Sequence, residues 1–150
     1  MARESVAVFW DYENLSPAGS KCSGFDIVKN ITTIAHQYGD VKLLKAYEEC
    51  HTNAGVHTQR LRSELQCAGV SLTDCPHNGR KEVADRMLTV DLLAFAIDNP
   101  APATIILITN DRDFVYAVSV LRLRRYRVIL VAQPSGSATL KAQASMWLDW

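Results

Sequence analysis

The run Thr104-Ile-Ile-Leu-Ile108 constrains this chain most, together with the segment directly after it: Thr109-Asn-Asp-Arg-Asp-Phe114 and then a helical pattern. An unbroken apolar, largely β-branched run fits a strand buried on both faces of a parallel sheet. In open α/β sheets, ligands bind beyond the carboxyl ends of the strands. Asp111 and Asp113 therefore stand where a site is expected. Two carboxylates in a partly dry crevice repel each other, and a cation or a shared proton must compensate. Equally, aspartates at these positions cap the following helix. Taken alone, the segment leaves both readings open.

Strand and helix patterns alternate along the rest of the chain. Ser5 to Trp10 is a second apolar strand, ending in Asp11-Tyr-Glu-Asn14. After a loop marked by Pro17, Gly19 and Gly24, the residues Phe25, Ile27, Val28, Ile31, Ile34 and Ala35 recur at helical spacing, and Gly39 stops that helix. Val41 to Tyr47 reads as a strand nearer the sheet edge, since Lys42 and Lys45 interrupt it. Val56 to Ala68 reads as a helix ended by Gly69, and Val70 to Thr73 as a short strand. A turn-rich loop from Asp74 to Lys81 leads into a helix from about Glu82 to Ile97, closed by Asn99-Pro100. A helix from about Phe114 to Arg124, a strand from Val128 to Ala132, a helix opened by Pro134-Ser-Gly-Ser137 and a short edge strand within Met146 to Trp150 complete the pattern.

This alternation predicts a three-layer α/β/α sandwich with a mostly parallel sheet. Placing the most apolar strands centrally gives the order 3-2-1-4-5, with the first and fourth strands side by side at the topological switch point. Adjacent strands lie about 4.8 Å apart, so Asp11 and Asp111 become neighbours. The helix after the third strand must begin at the same edge, which turns Asp85, in its first turn, toward them. One acid at a helix start means little, because the macrodipole favours it there. Three acids converging from distant positions carry more. Asp91, six residues on and roughly 120° around the helix, either rims the site or is solvated.

Sixteen basic and sixteen acidic residues cancel, so nucleic-acid contact requires a local basic patch rather than a global field. At 150 residues the chain is long enough for one domain with a full core. No apolar stretch approaches a membrane span, and the start Met1-Ala-Arg-Glu-Ser5 is no signal peptide. Cys22, Cys50, Cys67 and Cys75 form no C-x-x-C pair. Free thiols in a reducing compartment, cytoplasmic or nuclear, are the expectation. Cys67, Cys75 and His77 match no zinc-ligand spacing.

Three motifs stand in order at these strand and helix ends: F-W-D-Y-E-N (Phe9 to Asn14), K-E-V-A-D (Lys81 to Asp85) with Asp91, and T-N-D-R-D-F (Thr109 to Phe114). With A-P-A-T (Ala101 to Thr104) and the strand at Val128, they resemble the NYN domain, a branch of the PIN-like nucleases. The likeness is strongest to the NYN domain of the meiosis regulator and mRNA stability factor family and fungal relatives, and it spans nearly the whole chain. The resemblance implies a PIN-like fold and metal-dependent endoribonuclease activity. By resemblance Asp11, Asp85 and Asp111 match the catalytic acids, and Asp113 matches a position that is acidic in many members. The chain departs from the pattern at Asn110, where such domains often carry glycine or serine.

The residues suit that chemistry on their own. Phosphodiester hydrolysis needs an activated water, a stabilised pentacovalent oxyanion and a supported leaving oxygen, and carboxylate-held Mg²⁺ or Mn²⁺ supplies all three. Such hard ions prefer oxygen ligands. No Ser/His/Asp or Cys/His set is evident. His36, His51, His57 and His77 lie outside the acidic motifs, with His77 nearest the expected cleft. Asn14 is a candidate to orient Asp11 or a water, and Thr109 is a second supporting candidate. Arg80, Lys81, Arg86 and Arg112 are candidates for phosphate contacts, which position RNA without reading its sequence. The arginines from Arg122 to Arg127 read rather as a solvated helix end, and Trp10 as core. The expected activity is cleavage of single-stranded or flexible RNA by a single domain, residues 1–150. The alternative is a catalytically weak NYN module that binds RNA or protein partners. A haloacid-dehalogenase-like phosphatase would want an aspartate at Glu13 and a lysine before the last acidic motif, and a receiver domain a late lysine; neither pattern is found. A homodimer, and further domains in a longer protein, stay open.

Overall fold

Alternate side chains of β1 (Ser5–Asp11) enter two different cores. The computed structural model describes residues 2–17, 19–51, 53–80 and 82–150. Val6, Val8 and Trp10 pack on one face of the sheet with Ile27, Val28 and Ile31 of α1 (Gly24–Ala35) and Leu61 and Leu65 of α2 (Val56–Cys67). Ala7 and Phe9 pack on the other with Leu88, Leu92 and Phe95 of α3 (Val83–Asp98) and Val118 and Leu121 of α4 (Val115–Leu123). The period of two along a strand produces this split. It makes a three-layer α/β/α sandwich, and fully burying each large apolar side chain contributes roughly 1.5–3 kcal/mol. Trp10 is core, as its sequence context suggests; its indole N–H donates to the Leu15 carbonyl at 2.9 Å.

The remaining strands are β2 (Asp40–Glu48), β3 (Ser71–Asp74), β4 (Ala103–Ile108), β5 (Arg127–Ala132) and β6 (Met146–Asp149), with a short α5 (Ala138–Gln143) between the last two. Their order is β3-β2-β1-β4-β5-β6 and every pairing is parallel. The expected order holds, extended by the edge strand near the carboxyl terminus. Every residue of β4 is buried, as its unbroken apolar run requires. One detail differs from the sequence expectation. A 3₁₀ turn, Arg112–Phe114, precedes α4, because the Asp111 side chain accepts the Asp113 N–H and tightens the entry. Among the described residues no helix is long and apolar enough to cross a membrane.

The switch point lies between β1 and β4, whose register pairs Phe9 with Leu107 and Trp10 with Ile108. Continued by one residue, that register sets Asp11 opposite Thr109. Asp11 shares the parity of Ala7 and Phe9, so it faces the layer of α3 and α4. The chain enters α3 from β3 at this same sheet edge.

Candidate active site

Asp11, Asp85 and Asp111 each present a carboxylate oxygen within 4.8 Å of the others. Each arrives from a different element: the end of β1, the first turn of α3, and the residue that opens the turn after β4. Asp11 is 2% exposed, whereas Asp85 and Asp111 are half-buried. Among the described residues none of the three makes an ion pair. Their charges are therefore opposed chiefly by hydrogen bonds.

Thr109 is the main source of those bonds. Its hydroxyl donates to Asp11 Oδ2 at 2.8 Å and lies 3.2 Å from Asn14 Oδ1, while its oxygen accepts the Asp111 N–H at 3.0 Å. Asn14 Oδ1 also accepts the Asn110 N–H at 2.6 Å, which ties the loop after β1 to the loop after β4. Asn110 is locked to the start of the next loop. Its amide donates to Gln133 Oε1 at 3.0 Å and its carbonyl oxygen accepts the Gln133 N–H at 2.8 Å. Gly136 leaves room for this, since a Cβ there would sit 2.6 Å from Asn110 Oδ1.

The electrostatics arise from burial and crowding. Asp11 is pushed up to about 6, mainly by desolvation and further by Asp111 and Glu13, against the Thr109 hydrogen bond and the Asn14 backbone. Asp85 is pushed up to about 7, again mainly by desolvation, then by Asp11 and Asp111, by a hydrogen bond to Asp111 that favours its neutral form, and by Asp113. Clustered acids with raised values and no cation of their own are a site held ready for positive charge. All donors are hard oxygens, so the set fits Mg²⁺ or Mn²⁺ rather than a soft ion.

The structure separates the other sequence candidates. Asp113 is exposed, outside the three-acid group, and donates its N–H to Asp111 Oδ1. Arg80 and Arg112 are exposed, and Arg86 is 71% exposed at 3.8 Å from Glu82. Lys81 lies outside the described residues. Asp91 turns to β2, where it accepts from Lys45 Nζ at 2.6 Å and from the Tyr47 hydroxyl at 2.7 Å. Burial works against its charge, but these bonds and the Lys45 ammonium outweigh burial and hold its carboxyl below the usual range. Tyr47 pairs with Asp11 in the sheet register, so Asp91 supports the floor next to the acids.

These contacts lead to two expected outcomes. Asp91→Ala strands the buried Tyr47 hydroxyl, a loss of about 1–3 kcal/mol, and thermal denaturation should show a melting temperature several degrees lower. Thr109→Val removes the hydroxyl that donates to Asp11 and accepts the Asp111 N–H. It should push Asp11 still higher and lower any metal-dependent turnover by about 10–100-fold, as loss of a ligand-orienting contact does; steady-state assays of the two proteins measure this.

The sequence matches the NYN domain family over residues 5–149. The chain belongs to the NYN domain family. Its curated relatives include meiosis regulator and mRNA stability factor 1 of Gallus gallus, 30% identical over 90% of this chain, and of Mus musculus, 28% identical over 93%. The chain spans 8% of the length of each of these relatives. A solved protein of unknown function from Vibrio parahaemolyticus is similar in fold, with a TM-score of 0.77, 20% identity, and coverage of 98% of this chain and 93% of that one. For this NYN domain the family implies a PIN-like nuclease fold, and the acidic triad stands at its sheet edge.

Two pairings at the same edge are not encoded in residue spacing. His77 Nε2 lies 2.7 Å from Glu13 Oε1 and 3.7 Å from Glu49 Oε2, and Arg62 holds Glu48 through Nε at 2.6 Å. The only signal in the sequence is the presence of His77 in the loop before α3.

Proposed function

We propose that this NYN domain is a divalent-metal-dependent endoribonuclease that hydrolyses phosphodiester bonds in single-stranded or flexible RNA. The observation that carries the reading is the convergence of Asp11, Asp85 and Asp111 within 4.8 Å, with no ion-pair partner among the described residues. These three acids hold the ion, and Asp113 sits at the rim, close enough to raise Asp85. When bound, Mg²⁺ or Mn²⁺ supplies an activated water and neutralises the charge that develops on the phosphate. The protein's own part is positional. Thr109 keeps Asp11 aimed at the cleft, and Asn14 fixes the two loops that carry Asp11 and Asp111. Arg80 and Arg112, exposed and without ion pairs among the described residues, together with Lys81, contact the backbone of the strand and carry it across the acids. The name of the relatives refers to mRNA stability, which supports RNA as the substrate class.

The test is incubation of a circular, internally labelled single-stranded RNA with the purified protein and Mn²⁺. Linear product supports the endonucleolytic reading. An intact circle that is nevertheless retained by the protein would leave a binding module in its place.

A further inference from the structure

We propose that a second cleft, one strand away from the acids, holds a nucleobase of the bound RNA and prefers guanine. This rests on the RNA reading above and assigns part of its substrate recognition. The cleft has a volume of about 780 Å³ and is lined by residues including Glu13, Glu49, Arg62, His51, His57 and His77. It opens where β1 and β2 end, and Glu13 follows Asp11 by two residues. Neighbouring strands are about 4.8 Å apart, so a strand crossing the acids meets this cleft next.

Charge decides which part of a nucleotide enters. Three carboxylates, Glu13, Glu48 and Glu49, face one guanidinium, that of Arg62. That balance repels phosphate and favours the uncharged base. The donor pattern then selects among bases. The side chains of Glu13 and Glu49 are 28% and 29% exposed. Glu13 Oε1 is occupied by the Glu49 N–H at 2.6 Å and by His77, and Glu49 Oε1 by the His77 N–H at 3.3 Å. These bonds hold both carboxylates in place in the cleft lining, with Glu49 Oε2 3.7 Å from His77 Nε2 and Glu13 Oε2 without a hydrogen bond among the described residues. Arg62 is fixed by Glu48 through Nε, and its Nη groups have no hydrogen-bond partner among the described residues. Guanine is the base whose pairing edge offers two adjacent donors, N1–H and the N2 amino group, beside one acceptor, O6. Carboxylate oxygens take the donors and the guanidinium takes O6. Adenine and cytosine offer one donor group on that edge, and uracil a single N–H between two carbonyls. The exposed rings of His51 and His57 supply faces for the base to stack on.

The experiment measures binding, separately from cleavage. Fluorescent hexauridylates carrying one guanosine, inosine, adenosine or cytidine are titrated with Asp111→Asn protein in chelator, read by anisotropy. Guanosine is expected to bind about tenfold tighter than inosine, which lacks the N2 amino group, or adenosine. Adding Glu49→Gln should bring the guanosine-to-inosine ratio close to one. Equal binding of all four oligonucleotides overturns the guanine cleft and leaves the ribonuclease reading standing. Binding of none of them overturns the guanine cleft as well, and the circular-RNA assay in Mn²⁺ then decides the ribonuclease reading. The base series on the protein that keeps Glu49 decides the matter even where Glu49→Gln does not fold.

Discussion

In chelator the Asp111→Asn protein is expected to melt above the wild type, and in excess Mn²⁺ below it. Without a cation, Asp111 raises both Asp11 and Asp85 by repulsion, and removing its charge relieves that strain. With a cation the order reverses. An ion binding only the folded state stabilises it by about 2.7 kcal/mol at a hundredfold excess over its dissociation constant. In a domain of this size that is a melting shift on the order of 5–10 °C. The variant, with one ligand gone, should respond much less. The pH dependence carries a second signature. Asp11 and Asp85 have folded values near 6 and 7 against an ordinary 3.8, so between these limits the folded state binds more protons than the unfolded one. Their contribution to stability is fully present below about pH 3.8 and is lost as pH rises through 6 to 7. In chelator the wild type should therefore lose stability relative to Asp111→Asn between about pH 5 and 8, because the Asp111 charge is one of the causes that hold both folded values above the unfolded one. A melting series across pH, with chelator, Mg²⁺ and Mn²⁺, reads all of this. Equal metal shifts in both proteins would remove the site.

Asp11→Asn is expected to lower the rate of RNA cleavage by more than about 10²-fold, because loss of contacts that merely orient a ligand already costs 10–100-fold. The substitution preserves shape, and the Asn carbonyl still accepts the Thr109 hydroxyl. It removes only the buried negative charge. Folding should be retained or improved, since burial is the largest force opposing that charge. Single-turnover rates in saturating Mn²⁺, beside circular dichroism melts, check both halves. A variant with near-wild-type turnover would show that Asp11 holds no part of the reaction.

The placement of the acids was legible because it depends on topology alone. Apolar runs marked the ends of β1 and β4, the switch-point rule set them side by side, and the connection from β3 fixed which way α3 begins. The rest depends on loop geometry that no periodicity encodes. Asn14 meets Thr109 and Asn110 across nearly a hundred residues, and the Asn110–Gln133 pair requires the close approach of the loop at Gly136. Asp91 illustrates the limit of a helical wheel. Its angle from Asp85 can be read from spacing, but its meaning depends on Lys45 and Tyr47 lying beneath that turn of α3. Likewise, Glu13, Glu49 and His77 come from three separate segments, and the parallel pairings of β1 with β2 and of β2 with β3 bring them together.

The proposed function requires that Asp11, Asp85 and Asp111 form one divalent-metal site that cuts RNA. Its most direct test is the rate of cleavage of one labelled single-stranded RNA by wild type and Asp111→Asn, each in Mn²⁺ and in chelator. Cleavage is expected from the wild type in Mn²⁺ alone, with chelator and Asp111→Asn both reducing it to background. Cleavage that persists in chelator, or that Asp111→Asn performs as fast as the wild type, would contradict it.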